Sequence, residues 1–322
     1  MSERCSPMAD CLFDEAEAAY RYAYASTRAE AIGLQRRVAA SRAVEPSKGY
    51  FARSEYYLGL SERARAMHLV RAMARSHPDY VFSSYSAALV YGLQVPYALL
   101  DTVHLARGDR CNRRLRYEGI VCHEAPCRPF EVIDGIRVTP LDRTVLDCLC
   151  QTDFAQGLAI ADSALHERMI SKAELIAFMV RNGARRKGVS TARRVAAAAD
   201  SRSENGGESM ARATMIELGF MIPELQVELD DPLEPGRVYR VDFLWVLPDG
   251  AVVVGELDGG WKYVSKERSA SAAIKAMRKE RLRESRLSLT GVKVLRFSYE
   301  QAIDRAYMHR LLTCAGIPMR AT

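Results

Sequence analysis

Two apolar runs joined by Pro248-Asp249-Gly250 constrain this chain more than any other stretch: RVYRVDFLWVL at 237–247 and AVVVGELDG at 251–259. A Pro-Asp-Gly turn between runs rich in β-branched and aromatic residues predicts a hairpin, its strands antiparallel neighbours. Counting back from the turn puts Asp242 within about one residue of the position opposite Glu256. Cross-strand neighbours on one face approach to about 5 Å. Glu256 and Asp258 are two positions apart and so share a face. Three carboxylates then crowd one surface among Val241, Phe243, Leu244, Val252, Val253 and Val254. Carboxylates in an apolar frame are costly unless something compensates their charge. A hard divalent ion suits all-oxygen ligands, Mg²⁺ best, and can activate water and stabilise charge on a phosphate under attack. The competing reading turns the carboxylates to solvent or pairs them with Arg237, Arg240 or Lys262.

The surrounding sequence supplies a domain. ESMARATMIELG (208–219) reads as a helix stopped by Gly219, and LQVELD (225–230) as a strand. After the hairpin, 267–289 reads as a long charged helix, GVKVLRFSY (291–299) as a strand and 300–316 as the last helix. The predicted order is α-β-β-β-α-β-α. From Lys262 to Arg296 there are eleven Lys or Arg against three Glu. A basic stretch beside an acidic site is the layout expected of a phosphodiesterase acting on nucleic acid.

Upstream, SRSENGGES (201–209) is polar and glycine-containing and reads as a domain boundary. Three domains are expected: 1–100, helical and winged-helix-like; 101–200, an α/β middle domain; and 201–322. In the first, residues 1–45 read as helical, AVEPSKGYFAR (43–53) as a basic turn carrying Lys48 and Arg53, and 60–78 and 83–93 as helices opened by Ser61 and a capping serine. In the second, four short strand-like runs over 101–140 precede helices at 141–152, 154–169 and 171–183, the last with a Ser171/Glu174 capping box. The run 181–200 holds Arg185, Arg186 and Lys187, read as either a solvated face or a phosphate-contacting patch. The expected fold class is α/β (α+β multidomain).

Composition sets limits. The net charge of +6 is compatible with a polyanionic partner. No apolar stretch is long enough to span a bilayer, and the N-terminus lacks the apolar run of a secretory signal, so a cytoplasmic protein is expected. The eight cysteines include no CxxC pair and read as reduced thiols; Cys111, Cys122, His123 and Cys127 match no standard zinc module. Walker A, G-x-G-x-x-G and G-x-S-x-G motifs do not occur, which leaves a small-molecule enzyme unsupported. Trp245 reads as core, Trp261 as a possible stacking surface.

RVDFLW, VVVGELDG, Lys262-Tyr263, the charged helix and GVKVLRF together resemble the PD-(D/E)XK nuclease superfamily, nearest its very-short-patch-repair endonuclease-like branch. The resemblance covers about 110 residues. It implies a restriction-endonuclease-like mixed sheet flanked by helices, Mg²⁺ as cofactor and DNA as substrate. Residue by residue, Glu208 matches the helix glutamate, Asp242 the strand aspartate and Glu256 the acid of the last motif. Asp258 stands where that motif usually carries lysine, and Lys262 is the candidate to take over the lysine's role. The N-terminal two-thirds, through AVEPSKGYFAR, SSYSAALVYGL, TVHLAR and IRVTPLDRTVLDCL, resembles AbiE-type antitoxins. That implies a winged helix, DNA binding and a cognate toxin partner. Two functions follow as expectations: an endonuclease with Asp242, Glu256, Asp258, Glu208 and Lys262 at its centre, or a non-catalytic DNA-binding regulator contacting phosphate through Lys48 and Arg53.

Overall fold

A computed structural model describes residues 7–108, 119–124, 127–258, 282, 285–287 and 289–320. Helices and strands are mixed throughout, as expected for an α/β multidomain chain, and the chain divides into two units, Met1–Gln151 and Thr152–Thr322. Among the described residues, no helix is long and apolar enough to cross a membrane.

The first unit opens with α1 (Pro7–Ala18), β1 (Ala23–Tyr24), α2 (Arg28–Ala39), β2 (Ala43–Ser47) and β3 (Tyr50–Arg53). The expected helical run over 1–45 is thus broken. Tyr20, at φ +50°, ends the first helix, and Ala23–Tyr24 pair with Phe51 and Tyr50. Thr27 and Glu30 close a capping box that restarts the helix. The strands form an antiparallel sheet in the order β1-β3-β2. Its hairpin turns at Lys48-Gly49, with Gly49 at φ +84°, where a side chain would be strained. Phe13, Leu34, Ala43 and Phe51 form the core beneath.

Next come α3 (Ser54–Gly59), α4 (Glu62–Ser76) and α5 (Ser84–Val90). Ser61 caps α4 as expected, its hydroxyl accepting from the Ala64 N–H. Ser83 occupies the N-cap position of α5, but its hydroxyl makes no cap hydrogen bond. The strand-like runs form β4 (Val103–Arg107) and β5 (Ile120–Glu124), which are parallel, and β6 (Glu131–Ile133) and β7 (Ile136–Val138), which are antiparallel. Phe82 bridges to both Leu105 and Val138, so one wholly buried residue stitches the two strand pairs together. The unit closes with α6 (Leu141–Gln151).

The second unit begins with α7 (Phe154–His166), α8 (Lys172–Asn182), α9 (Val189–Ala198) and α10 (Gly206–Glu217). The Ser171/Glu174 capping box is present on α8. The polar stretch 201–209, read as a domain boundary, lies inside this unit. Its Asn205 caps α10, and α10 is tied to α7 by an Arg212–Asp162 ion pair of 2.7 Å in which both side chains are buried. The Asp200 N–H donates to the same Asp162, and Arg212 also donates to the Ala198 carbonyl. The helices at 154–198 therefore share a buried polar node with α10.

The rest is β8 (Glu224–Asp230), β9 (Val238–Val246), β10 (Val252–Asp258), β11 (Lys293–Ser298), α12 (Tyr299–Ile303) and α13 (Arg305–Ala315). The sheet order is β11-β10-β9-β8; only the β10–β11 pair is parallel, so the sheet is mixed. The single helix expected over 300–316 is two. Asp304 breaks it at ψ +100° and caps the second part, its carboxylate accepting from the Ala306 and Tyr307 N–H groups. Of the expected helix at 267–289, residues 282, 285–287 and 289 are described; the first four are helical and Leu289 lies in a turn.

Candidate active site: an acidic cluster at a break in the sheet

The hairpin register runs Val252↔Val246, Val253↔Trp245, Val254↔Leu244, Gly255↔Phe243. One further step along this register would set Glu256 opposite Asp242, the placement expected from the count back from the turn. The ladder does not continue there. The Leu257 N–H instead donates to Asp242 Oδ2 at 2.9 Å, so a carboxylate takes the place of a backbone acceptor. On the other side of β9, β8 pairs at Leu225↔Phe243 and Val227↔Val241 and skips the Gln226–Asp242 step. Gln226 has φ +54°, a left-handed conformation that costs a non-glycine residue energy.

Face alternation breaks at the same point. Phe243, Trp245 and Leu225 pack into a core with Ala211, Met215, Phe297 and Leu312. Val241 and Tyr239 pack instead into a second core with Leu244, Val254 and Leu287, flanked by Val227 and Leu229. Val241 and Phe243 would share a face in a regular strand; here they are buried in different cores. Asp242 and Gln226 lie at the switch, where both backbones leave the ladder.

Close packing brings α10 to this break. A Cβ on Gly207 would meet Leu257 Cδ2 at 2.9 Å, so glycine allows the helix start to approach β10. A Cβ on Gly255 would meet Trp245 at 3.0 Å and Phe243 at 3.2 Å. Trp245 itself is core, its indole N–H donating to the Met221 carbonyl at 2.9 Å.

Glu208, in the first turn of α10, is 5% exposed. Its Oε2 accepts from the Glu204 N–H at 2.9 Å and from Gln226 Nε2 at 3.1 Å, and its Oε1 accepts from the Asn205 side-chain amide. Asn205 Oδ1 in turn accepts from the Glu208 N–H, as an N-cap does. Burial pushes the Glu208 carboxyl up to about 7, against the Glu204 hydrogen bond and with a further push from the Asp242 charge. Burial, more than the neighbouring carboxylate, makes this group resist ionisation.

Glu256 is 7% exposed. Alternation along β10 keeps it on the face of Val252 and Val254, with Asp258 two positions on. Asp258 is half exposed and pairs with Arg296 of β11 at 3.3 Å. Arg237 pairs with Glu234, and Arg240 pairs with Glu204 in the loop before α10. As a donor set, Glu208, Asp242, Glu256 and Asp258 offer only hard oxygens, which suits Mg²⁺ chemically. Among the described residues, however, no three Asp, Glu, His or Cys side chains are grouped to hold a metal ion. Asp242 and Glu256, each one position beyond the last hairpin pair, remain the candidate pair.

Lys262 and Trp261 lie outside the described residues. Three cations of the basic run are described, and each serves the fold. Arg286 binds Asp231 and Glu234 at 2.7 and 2.8 Å, Lys293 donates to the Ala315 carbonyl, and Arg296 holds Asp258. Arg185, Arg186 and Lys187 lie between α8 and α9, with Arg185 and Lys187 exposed. In the first unit, Lys48 is exposed at the hairpin turn. Arg53, expected to touch phosphate, is already engaged: it pairs with Asp14 at 2.6 Å and Glu17 at 2.8 Å, donates to the Asp10 carbonyl and covers the Phe13 ring. It clamps α1 to β3. Sequence reasoning missed Asn205 and Gln226. The Asn-x-x-Glu spacing at 205–208 is a capping signal that could have found the first; nothing in the sequence marks the second.

No family model matches the chain. It is 29% identical over 160 residues to two proteins of Mycobacterium tuberculosis, one from strain CDC 1551 / Oshkosh and one from strain H37Rv, each named only as uncharacterized. The matched region is 50% of this chain and 56% of each relative, so the chain spans about half the length of the curated relatives it matches.

Proposed function

We propose that the second unit is a nuclease-like domain whose Asp242 and Glu256 bind a divalent cation and direct hydrolysis of DNA phosphodiesters, in a defence or toxin–antitoxin type system. The observation that carries this reading is the break in β8 and β9 at Gln226 and Asp242, which lies one step beyond the last β9–β10 pair, Gly255↔Phe243, and where Gln226 meets the Glu208 carboxyl. A bound Mg²⁺ supplies an activated water and charge neutralisation at the phosphate. The chain's own part is to align the two strand carboxylates and to hold the buried Glu208 carboxyl beside them through Asn205, Gln226 and the Glu204 N–H. The test is nicking of supercoiled plasmid by the full chain with Mg²⁺. Asp242→Ala and Glu256→Ala should each lower the rate by 100-fold or more, on the order expected for loss of a metal ligand; nicking that survives both substitutions refutes the reading.

One observation favours a second reading, a non-catalytic antitoxin-like DNA-binding regulator. The position that usually carries the nuclease lysine holds Asp258, and it is occupied by Arg296. In this reading the acidic domain is a scaffold, and exposed Lys48 contacts phosphate. It predicts binding to the protein's own promoter that weakens steeply with salt and is indifferent to Asp242→Ala. Salt-independent binding counts against it.

A further inference from the structure

A contact in the first unit joins two histidines. His104 on β4 is 5% exposed and held on every side. Its N–H donates to Ser86 Oγ at 2.8 Å, its carbonyl accepts from the Ser83 N–H at 3.0 Å, and Thr102 Oγ1 lies 2.8 Å from Nε2. The Tyr85 ring packs edge-on, centroids 4.8 Å apart. The remaining ring nitrogen, Nδ1, lies 2.7 Å from Nε2 of His123 on β5, with the ring planes only 15° apart. β5 pairs in parallel with β4 from Val103↔Ile120 to Arg107↔Glu124, so this side-chain contact lies within the span that holds the strand.

Facing imidazole nitrogens at hydrogen-bond distance share one proton: one ring donates and the other accepts. A second proton sets N–H against N–H and charge against charge. Among the described residues, Tyr85 from α5 and Asp147 from α6 bring ionisable groups to the pair, Asp147 lying 2.7 Å from Arg143. We propose that His104 and His123 form a single-proton latch that holds β5 on β4 at neutral pH and releases it in acid.

Electrostatics agree with the geometry. Burial, helped by the neighbouring His123, pushes His104 down to about 4. Burial also lowers His123, opposed by the charge of Asp147. For histidines whose folded pKa lies below the unfolded value of about 6.5, the stabilisation is full above that value and is lost as pH falls toward about 4.

Hydrogen exchange of the full chain, corrected for intrinsic rates, tests the latch. The amides of 120–124 should exchange about 10-fold faster at pH 5 than at pH 7, while those of β2 and β3 should not change. His123→Gln should shrink the difference, because a Gln amide can offer His104 either a donor or an acceptor and takes no proton itself, leaving only the buried His104 to titrate. Equal protection of β5 at the two pH values, or a His123→Gln protein that opens as the wild type does, overturns the proposal. Should that variant fail to fold, imidazole ¹⁵N spectra of the wild type at pH 7 decide. One of the two facing nitrogens must be protonated and the other bare; two bare nitrogens rule the latch out.

Discussion

At the scale of single residues, what a side chain touches separates candidates that look alike in sequence. Lys48 and Arg53 are both cations of one hairpin, yet only Arg53 is spent on two carboxylates and an aromatic ring. Arg53→Ala should therefore lower stability, by on the order of 1 kcal/mol in denaturant unfolding. Glu208 makes a pH prediction of definite sign. Its folded pKa, about 7, lies above the ordinary 4.5. The acid form is favoured by folding, so the stabilisation is present below about 4.5 and is lost as pH rises through about 7. Calorimetric melting of the wild type and Glu208→Ala across pH 4.5–8 should converge as pH rises; a gap that widens toward pH 8 refutes this assignment. Gly255→Ala places a Cβ 3.0 Å from Trp245 and should cost about 1–3 kcal/mol by overpacking, read as a shift in the denaturant midpoint.

At the scale of elements, caps and buried nodes decide where helices begin and what they join. Asp304 cuts one expected helix into two by accepting two N–H groups at the start of α13. Asp304→Ala removes the cap and should cost about 1 kcal/mol in thermal unfolding. The Arg212–Asp162 pair matters more because neither partner reaches solvent. Arg212→Met strands a buried carboxylate and should cost about 3–5 kcal/mol, whereas changing both residues to well-packed apolar ones should recover much of that loss. A double-mutant cycle measures the difference. β8 and β9 obey the opposite logic: their pattern of apolar residues is regular enough to predict both strands, yet the strands abandon regular pairing at Gln226 and Asp242, where the candidate chemistry lies.

At the scale of the whole molecule, the division at Gln151/Thr152 changes which pieces should stand alone. A fragment spanning 152–322 keeps α7, α9 and α10 around the Arg212–Asp162 node and should melt cooperatively. A fragment starting at 201, the boundary that composition suggests, loses Asp162 and leaves Arg212 buried without its carboxylate. It should be unfolded or aggregated by circular dichroism and gel filtration. A cooperative transition in the shorter fragment contradicts the buried node's importance.

The sequence by itself determined the β-rich hairpin, the Ser61 and Ser171 caps and the mixed α/β class. All of these rest on local rules: a turn, a two-residue period, a hydroxyl before a helix. Tertiary structure alone decided the rest. Gln226 takes a left-handed φ only because two cores on different faces pull its neighbours apart, and no short-range pattern encodes that. Arg53, Arg286 and Arg296 are bound inward because carboxylates distant in sequence reach them, so charge counting overestimates the cations open to a polyanion. Asp258 illustrates both halves. Its place on the face of Glu256 was legible from spacing, but its partner, Arg296, comes from a strand 38 positions later that only the parallel β10–β11 pairing brings alongside.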